Sequence, residues 1–203
     1  MPWVSRAAIG VALVAIVVRA IPAALAFGTS DVLAWDQLAR LFLAGDNFYA
    51  TQLHNWPVLW IYFTAAAEVL HDATALPFSF LVKLPPIAAD AAIAVLLCRI
   101  SPKIGLLYAL NPVAILITGY HGQFDSMMLA PTVLAWCLWE TWRGPRRLYG
   151  TALALGLGIW FKPVPLVLLP VFLPRLKNHF ERAIFVVLAF APAALGTVFV
   201  PDR

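Results

Sequence analysis

Two aspartates that follow the first apolar run of the chain are the best candidates for acid–base catalysis. Asp31 comes directly after that run, and Asp36 lies five residues further on. A carboxylate at the boundary between lipid and water is partly desolvated, which is a common way of tuning a general base. Asp36 would lie within about a turn of Asp31 if the segment is helical. The alternative is that one of residues 29 to 31 only caps a short helix beginning near Val32.

A second group of polar residues interrupts the apolar sequence at positions 119–125. It contains three side chains that could bind a substrate, namely His121, Gln123 and Asp125. Polar groups within a membrane bundle are costly unless they are paired, so we interpret these three as part of a functional site. His121 and Asp125 are four residues apart, so one helical face could present both. We expect this second polar stretch (residues 119–125) to meet the first polar stretch (residues 29–49) at one edge of a helix bundle.

A divalent metal ion is possible at such an edge but is not required. Asp31, Asp36 and Asp125 could supply carboxylate oxygens, and a metal site needs about three or more ligands of this kind. Their spacing alone does not show that they converge. The two cysteines, Cys98 and Cys137, fall inside apolar runs and predict neither a disulfide framework nor a metal site.

Several charged side chains lie in apolar surroundings, foremost Arg19 and Lys162. Both could bind a phosphate head group at the membrane boundary. Arg19 could instead pair with an acid inside the bundle. Lys83 and Asp90 are seven residues apart, share a helical face and could pair with other helices. The tryptophans mostly fall near the ends of apolar runs, which is typical of interfacial anchors.

The composition predicts an all-α, polytopic membrane protein. Hydrophobic residues make up 63% of the 203 residues, charged residues only 12%, and the mean hydropathy is +0.86. Soluble domains carry about 25% charged residues. Long apolar runs, rather than short alternating segments, argue against a β-barrel. The net charge of +4 does not indicate nucleic-acid binding, because the cations cluster in short loops between apolar segments.

The apolar segments predict seven membrane-spanning helices. They are residues 7–27, 78–97, 104–118, 127–142, the two halves of 148–174, and 183–200. Residues 57–70 would reach only about 21 Å as a helix, which is too short to cross a hydrocarbon core of about 30 Å. We therefore expect that segment to lie at the interface. The first segment resembles a signal peptide in its small residues near position 25, but Arg19 within it favours an uncleaved anchor.

The basic loops predict which ends of these helices face the cytoplasm. Cations cluster at Arg6 and in three loops, at residues 99–103, 143–147 and 175–182. The positive-inside rule places all four on the cytoplasmic side. This requires residues 148–174 to form a hairpin of two short helices that turns near Lys162, although one long tilted span is an alternative. The first outer loop, residues 28–77, and the second polar stretch then lie on the extracytoplasmic side of the plasma membrane.

Several short motifs, in this order, resemble those of the GT-C superfamily of glycosyltransferases. They are the outer loop that begins at Asp31, then Gly45-Asp46-Asn47-Phe48-Tyr49, Asn55-Trp56-Pro57, Asn111-Pro112, Gly119-Tyr120-His121-Gly122-Gln123-Phe124-Asp125-Ser126 and Phe161-Lys162-Pro163-Val164-Pro165. The similarity covers nearly the whole chain, and bacterial mannosyltransferase-like members carry comparable sequences. Each motif is short, so their order and spacing carry the resemblance.

The resemblance implies an enzyme with a seven-helix core and interfacial helices in its first outer loop. Such an enzyme moves a hexose, for example mannose, from a polyprenyl-phosphate donor to a hydroxyl of a glycan or glycolipid acceptor, with inversion. Its catalytic aspartate maps onto Asp31. Superfamily members run to about twice this length, so residues 1–203 correspond to a single core module. We expect the C-terminal half to be missing, unnecessary or supplied by a second chain.

Three other functions are compatible with the sequence. The chain could be a non-catalytic module that binds lipid-linked sugars, or the membrane subunit of a split transferase. It could also be a small transporter in which Arg19, Lys83 and Asp90 form an ion path. Transporters often contain internal repeats, and none is apparent here.

Overall fold

The computed structural model describes residues 5–51 and 56–198, and within these ranges every regular element is helical. Helices α1 to α11 are Arg6–Leu25, Ser30–Ala44, Val58–Thr74, Phe78–Leu81, Leu84–Leu97, Pro102–Ala109, Pro112–Ile115, Asp125–Thr141, Pro145–Phe161, Leu169–Phe172 and His179–Val198. A π-helical segment, the π turn, spans Leu116–His121. Short 3-10 helices span Phe48–Ala50, Val164–Leu168 and Leu173–Arg175. Asn55 and the end of the last expected span, residues 199–200, lie outside the described residues.

Two of the described helices are long and apolar enough to cross a membrane. They are Arg6–Leu25 and the nearly continuous Phe78–Leu97, each of 20 residues. At a rise of 1.5 Å per residue, such a helix is about 30 Å long, which matches the hydrocarbon core. A third span is possible if one crossing can contain a bend. It would consist of Pro102–Ala109 and Pro112–His121, whose axes differ by 48°.

The bend replaces the single helix that we expected over residues 104–118. Asn111 adopts an extended conformation and caps the next helix, because its Oδ1 accepts hydrogen bonds from the backbone N–H groups of Val113 and Ala114. Pro112 then occupies the first turn, where its missing N–H costs nothing. A proline also disfavours a helical conformation in the residue before it. The Asn-Pro pair therefore ends one helix and starts another.

The expected break near Lys162 is confirmed. Lys162 is extended and ends α9, and Pro163 precedes the 3-10 helix Val164–Leu168. The segment Val164–Arg175 is apolar but short, and it is built of 3-10 and α-helical pieces rather than one regular helix.

Helix α3, in the first outer loop, is slightly longer than the expected segment 57–70. It continues to Thr74 and ends at Ala75, which has the left-handed φ of 58°.

The chain divides into two compact units, with the boundary between Ser126 and Met127. In the first unit α1 packs on α5 and α6, α2 packs on α3, and the π turn packs on α1. Small residues such as Ala15, Ala94 and Ala109 line the contact around α1 and let the helices approach closely. In the second unit α9 packs on α11, around a core that includes Leu155, Phe172 and Phe185.

Gly119 is the point at which the π turn crosses α1. A methyl group on this glycine would lie 2.7 Å from the backbone oxygen of Arg19 and 2.8 Å from Cγ of Pro22. Because a backbone atom cannot move aside as a flexible side chain can, Gly119→Ala should destabilise the protein by about 1–3 kcal/mol. Gly10→Ala, with nothing within 4 Å of the added carbon, should instead be neutral or stabilising by up to about 1 kcal/mol. Unfolding midpoints in detergent compare the two variants, and equal midpoints would contradict the close contact.

Candidate functional site

The two polar stretches meet, as expected from the sequence. Nε2 of Gln123 donates a hydrogen bond of 2.5 Å to Oδ2 of Asp31, across 92 residues of chain. Both side chains are half-buried. Asp31 lies in the first turn of α2, and Gln123 lies in the connection between the π turn and α8. This carboxylate–amide pair is the centre of the candidate site.

Two glycines with left-handed backbones shape this meeting point. Gly28 has φ of 111°, and a Cβ there would lie 3.3 Å from the backbone oxygen of His121. Gly122 has φ of 87° and ends the π turn. Because the helix stops at Gly122, His121 and Asp125 do not share a helical face, although their spacing would have allowed it. His121 ends the π turn, whereas Asp125 begins α8.

The interpretation of residues 29 to 31 as a helix cap is only partly correct: α2 begins at this position, but no side chain of these residues caps it. Thr29 occupies the N-cap position, but its side chain makes no capping hydrogen bond, and its buried Oγ1 has no partner in the part of the chain that the structure describes. Asp31 follows two residues later and pairs with Gln123 instead of capping the helix. A carboxylate in the first turn is favoured by the helix dipole. Asp31 is therefore directed toward the second polar stretch.

Lys83 also belongs to this site, which the sequence alone did not predict. Its fully buried side chain donates a hydrogen bond of 2.7 Å from Nζ to the backbone oxygen of Ala26, just before the first polar stretch. A Cβ on Gly122 would lie 3.3 Å from Cε of Lys83, so the alkyl chain of this lysine passes beside the second polar stretch. One feature of the sequence could have indicated this role: Lys83 directly precedes Leu84-Pro85-Pro86. At this position the apolar span breaks into α4 and α5.

An aromatic cluster of Trp35, Trp60 and Phe124 holds the two stretches together. The ring of Trp60 stacks on Phe124 with centroids 4.4 Å apart, and Trp35 meets Trp60 edge-on at 5.0 Å. All three side chains are fully buried. The expectation that these tryptophans anchor span ends at the interface is therefore wrong. Trp35 is one helical turn after Asp31, and Phe124 adjoins Gln123, so the cluster fixes both partners of the central pair.

Asp36 lies on the same helix as Asp31, as expected, but on a different side of it, and its catalytic role stays a prediction. Five residues along an α-helix correspond to a rotation of about 140°. Arg40, one turn after Asp36, donates from Nε to Asp36 at 2.9 Å and from Nη2 to Glu68 of α3, also at 2.9 Å. Asp36 therefore belongs to an ion-pair network that joins α2 to α3, outside the central pair.

Burial raises the pKa of Glu68, and the nearby guanidinium of Arg40 only partly offsets this. A carboxyl group with a raised pKa in the folded state favours folding most at low pH, and this contribution is lost as pH rises through the folded-state pKa. The stability of the wild type relative to Glu68→Gln should therefore fall as pH rises above the ordinary value of 4.5. Unfolding midpoints of both proteins between about pH 4 and pH 7 measure this difference. A difference that grows with pH would contradict the raised pKa.

Arg19 forms an internal ion pair rather than part of a water-facing phosphate site. Its Nε lies 2.7 Å from Oδ2 of Asp90, and both side chains are fully buried. Nη1 donates to the backbone oxygens of Ala15 and Ala109. The hydroxyl of Tyr108 donates to the other oxygen of Asp90. This geometry corresponds to the pairing alternative, because the donors of Arg19 are engaged inside the unit.

The remaining expected site residues are distributed over both units. His121 is half-buried, and its Nδ1 is buried with no partner among the described residues. Asp125 is half-buried at the start of α8. Lys162 is half-buried after α9, in the second unit, and its role stays a prediction. No group of three or more His, Cys, Asp or Glu side chains in residues 5–51 and 56–198 converges as metal ligands would.

The geometry of the central pair is compatible with proton transfer. A carboxylate oriented by an amide donor can accept a proton from a hydroxyl group that approaches its other oxygen. The unpartnered Nδ1 of His121 and Oγ1 of Thr29 are further polar groups that a ligand or water could satisfy. Comparison with known proteins gives no match to a protein-family model, to a curated protein or to a solved structure.

Proposed function

We propose that this chain is the membrane core of a glycosyltransferase that moves a hexose from a polyprenyl-phosphate donor to an acceptor hydroxyl. The observation that carries the proposal is the hydrogen bond between Gln123 and Asp31. It joins the two stretches that resemble the outer loops of the GT-C superfamily. The pair provides an oriented base beside polar groups, and the long apolar helices α1 and Phe78–Leu97 suit a substrate with a lipid tail.

In the proposed reaction, Asp31 accepts the proton of the acceptor hydroxyl while the oxygen attacks the anomeric carbon. The bond between that carbon and the phosphate oxygen breaks, and the polyprenyl phosphate leaves with the electron pair. A single displacement inverts the anomeric centre. The imidazole of His121 and the ammonium of Lys83 are the groups of the first unit best suited to support the leaving phosphate. Base catalysis of this kind contributes about 10²- to 10⁴-fold.

The proposed membrane arrangement follows from the basic loops. Seven crossings would place the N-terminus in the cytoplasm and the central pair on the extracytoplasmic side of the plasma membrane. The helix Val58–Thr74 would then lie along the outer interface. A fusion of alkaline phosphatase at residue 75 should be active, whereas a fusion at residue 101 should be inactive. The opposite pattern would rule out this arrangement.

A reconstituted transfer assay tests the proposed function. The full chain in lipid vesicles is given a panel of polyprenyl-phosphate hexoses and glycolipid acceptors, and the products are analysed for the configuration of the new bond. We expect transfer from one donor with inversion. Retained binding of a donor without turnover would favour the sugar-binding module or the subunit of a split transferase. Neither turnover nor donor binding would reject the proposal.

A further inference from the structure

A cavity of about 340 Å³ lies in the second unit, between the beginnings of α9 and α11. Its lining includes the cations Arg147 and Lys177 and the acid Glu181. Its volume lies within the range of small-molecule binding sites. None of its residues belongs to the central pair or to the aromatic cluster of the first unit. The cavity therefore requires an explanation separate from sugar transfer.

Arg147 is held in place at this cavity by an aromatic ring. Its Cζ lies 4.5 Å from the centroid of the ring of Trp139, which is itself buried. Guanidinium groups stack on aromatic faces in this way and keep their N–H edge available for carboxylate or phosphate oxygens. No carboxylate pairs with Arg147 among the described residues. The arginine thus presents an oriented positive charge to the cavity.

The acid in the lining is engaged by the cap of α11. Oε2 of Glu181 accepts a hydrogen bond of 3.0 Å from the backbone N–H of Lys177. The backbone N–H of Glu181 donates in turn to Oδ1 of Asn178 at 2.9 Å. This arrangement is similar to a capping box, except that the carboxylate binds the N–H of the residue before the N-cap. The carboxylate is fixed to backbone, while the ammonium of Lys177 lies on an exposed side chain at the cavity.

The sequence around the cavity is strongly basic. The two segments that lead into α9 and α11 contain six cations and two acids, which are Glu140, Arg143, Arg146, Arg147, Arg175, Lys177, Glu181 and Arg182. Such an excess attracts anions from a distance comparable to the Debye length, about 8–10 Å. The ligand of the cavity should therefore carry negative charge.

The rest of the cavity is apolar and is bordered by exposed aromatic side chains. Leu148, Leu176 and Ile184 contribute to its wall. Tyr149 and Phe180 also line it, with 47% and 73% of their surfaces exposed. Aromatic and cationic side chains together at helix ends are characteristic of the membrane interface. A free inorganic ion would leave this apolar surface unused, whereas a lipid would cover it.

We propose that this cavity binds the phosphate head group of an anionic membrane lipid. Arg147 and Lys177 contact the phosphate oxygens, and the acyl chains lie against Phe180 and Tyr149. Basic pockets between membrane helices bind head groups of this class. The site acts independently of sugar transfer, and by the positive-inside rule it faces the cytoplasmic leaflet.

Native mass spectrometry of the full chain, titrated with phosphatidylglycerol or phosphatidylcholine, measures this binding. We expect one tightly bound phosphatidylglycerol per chain and weaker binding of phosphatidylcholine. The double variant Arg147→Gln/Lys177→Gln should weaken phosphatidylglycerol binding by at least about tenfold, because it removes both cations that would contact the phosphate oxygens. The single variant Lys177→Glu alters only an exposed side chain, and it should weaken binding even if the double variant folds poorly.

The matched control is Arg146→Gln/Arg175→Gln. It removes the same two charges from the same two segments, but at exposed positions outside the cavity lining. Its affinity should stay within about twofold of the wild type, because distant surface charges are screened. Equal weakening in both double variants would reveal only a general surface attraction and overturn the site. Equal affinity for phosphatidylcholine, or displacement of the lipid by inorganic phosphate, would overturn the assignment to an anionic lipid.

Discussion

Replacing Asp31 with asparagine is expected to lower the rate of sugar transfer by about 10²- to 10⁴-fold. Asparagine has the same shape, and its Oδ1 can still accept the hydrogen bond that Gln123 donates at 2.5 Å. It cannot take up the proton of an acceptor hydroxyl at neutral pH. The variant should therefore keep the fold and the binding of the donor while it loses turnover. Initial rates with a saturating lipid-phosphate hexose measure the effect.

Asp46→Asn is the matched control for this experiment. Asp46 is an exposed acid of the same first polar stretch, and it lies beyond the end of α2 rather than at the central pair. Its substitution should change the rate by less than about twofold, since an exposed charge is screened by solvent. Full activity in Asp31→Asn would remove Asp31 from the mechanism. Equal losses in both variants would point to an effect of net charge on the outer surface.

The sequence predicts the elements that depend on local chemistry. The first apolar helix, the break at Lys162-Pro163 and the helical segment that follows Pro57 all appear where composition and proline placement put them. The meeting of the two polar stretches was also predictable, because polar groups in an apolar chain must find one another or water. These inferences need no knowledge of which helices are neighbours.

Other features depend on tertiary packing and could not be obtained from the sequence. Trp35 and Trp60 look like interfacial anchors until α2 and α3 pack together and bury them against Phe124. Asp36 looks like a partner for Asp31 until the helix rotates it toward Arg40. A single sequence shows which residues need partners but not which partners they find.

Breaking the buried pair between Arg19 and Asp90 is expected to destabilise the first unit strongly. Asp90→Leu leaves the fully buried guanidinium of Arg19 without a counter-charge. Arg19→Met likewise leaves the fully buried carboxylate of Asp90 without one. Removing one member of such a pair costs about 3–5 kcal/mol. Replacing both with apolar residues can be nearly neutral, although the hydroxyl of Tyr108 would lose its acceptor at about 1–3 kcal/mol.

A double-mutant cycle in detergent, with the free energy of unfolding as readout, tests this expectation. The double variant Arg19→Met/Asp90→Leu should be more stable than either single variant, so the two effects should be far from additive. Additive effects, or single losses below about 1 kcal/mol, would contradict a tightly coupled pair. The same variants also test whether the ion pair affects the candidate site, because Gly119 of the π turn packs against the backbone of Arg19. If the ion pair positions the π turn, the single variants should also lower transfer activity, whereas the double variant should retain more of it.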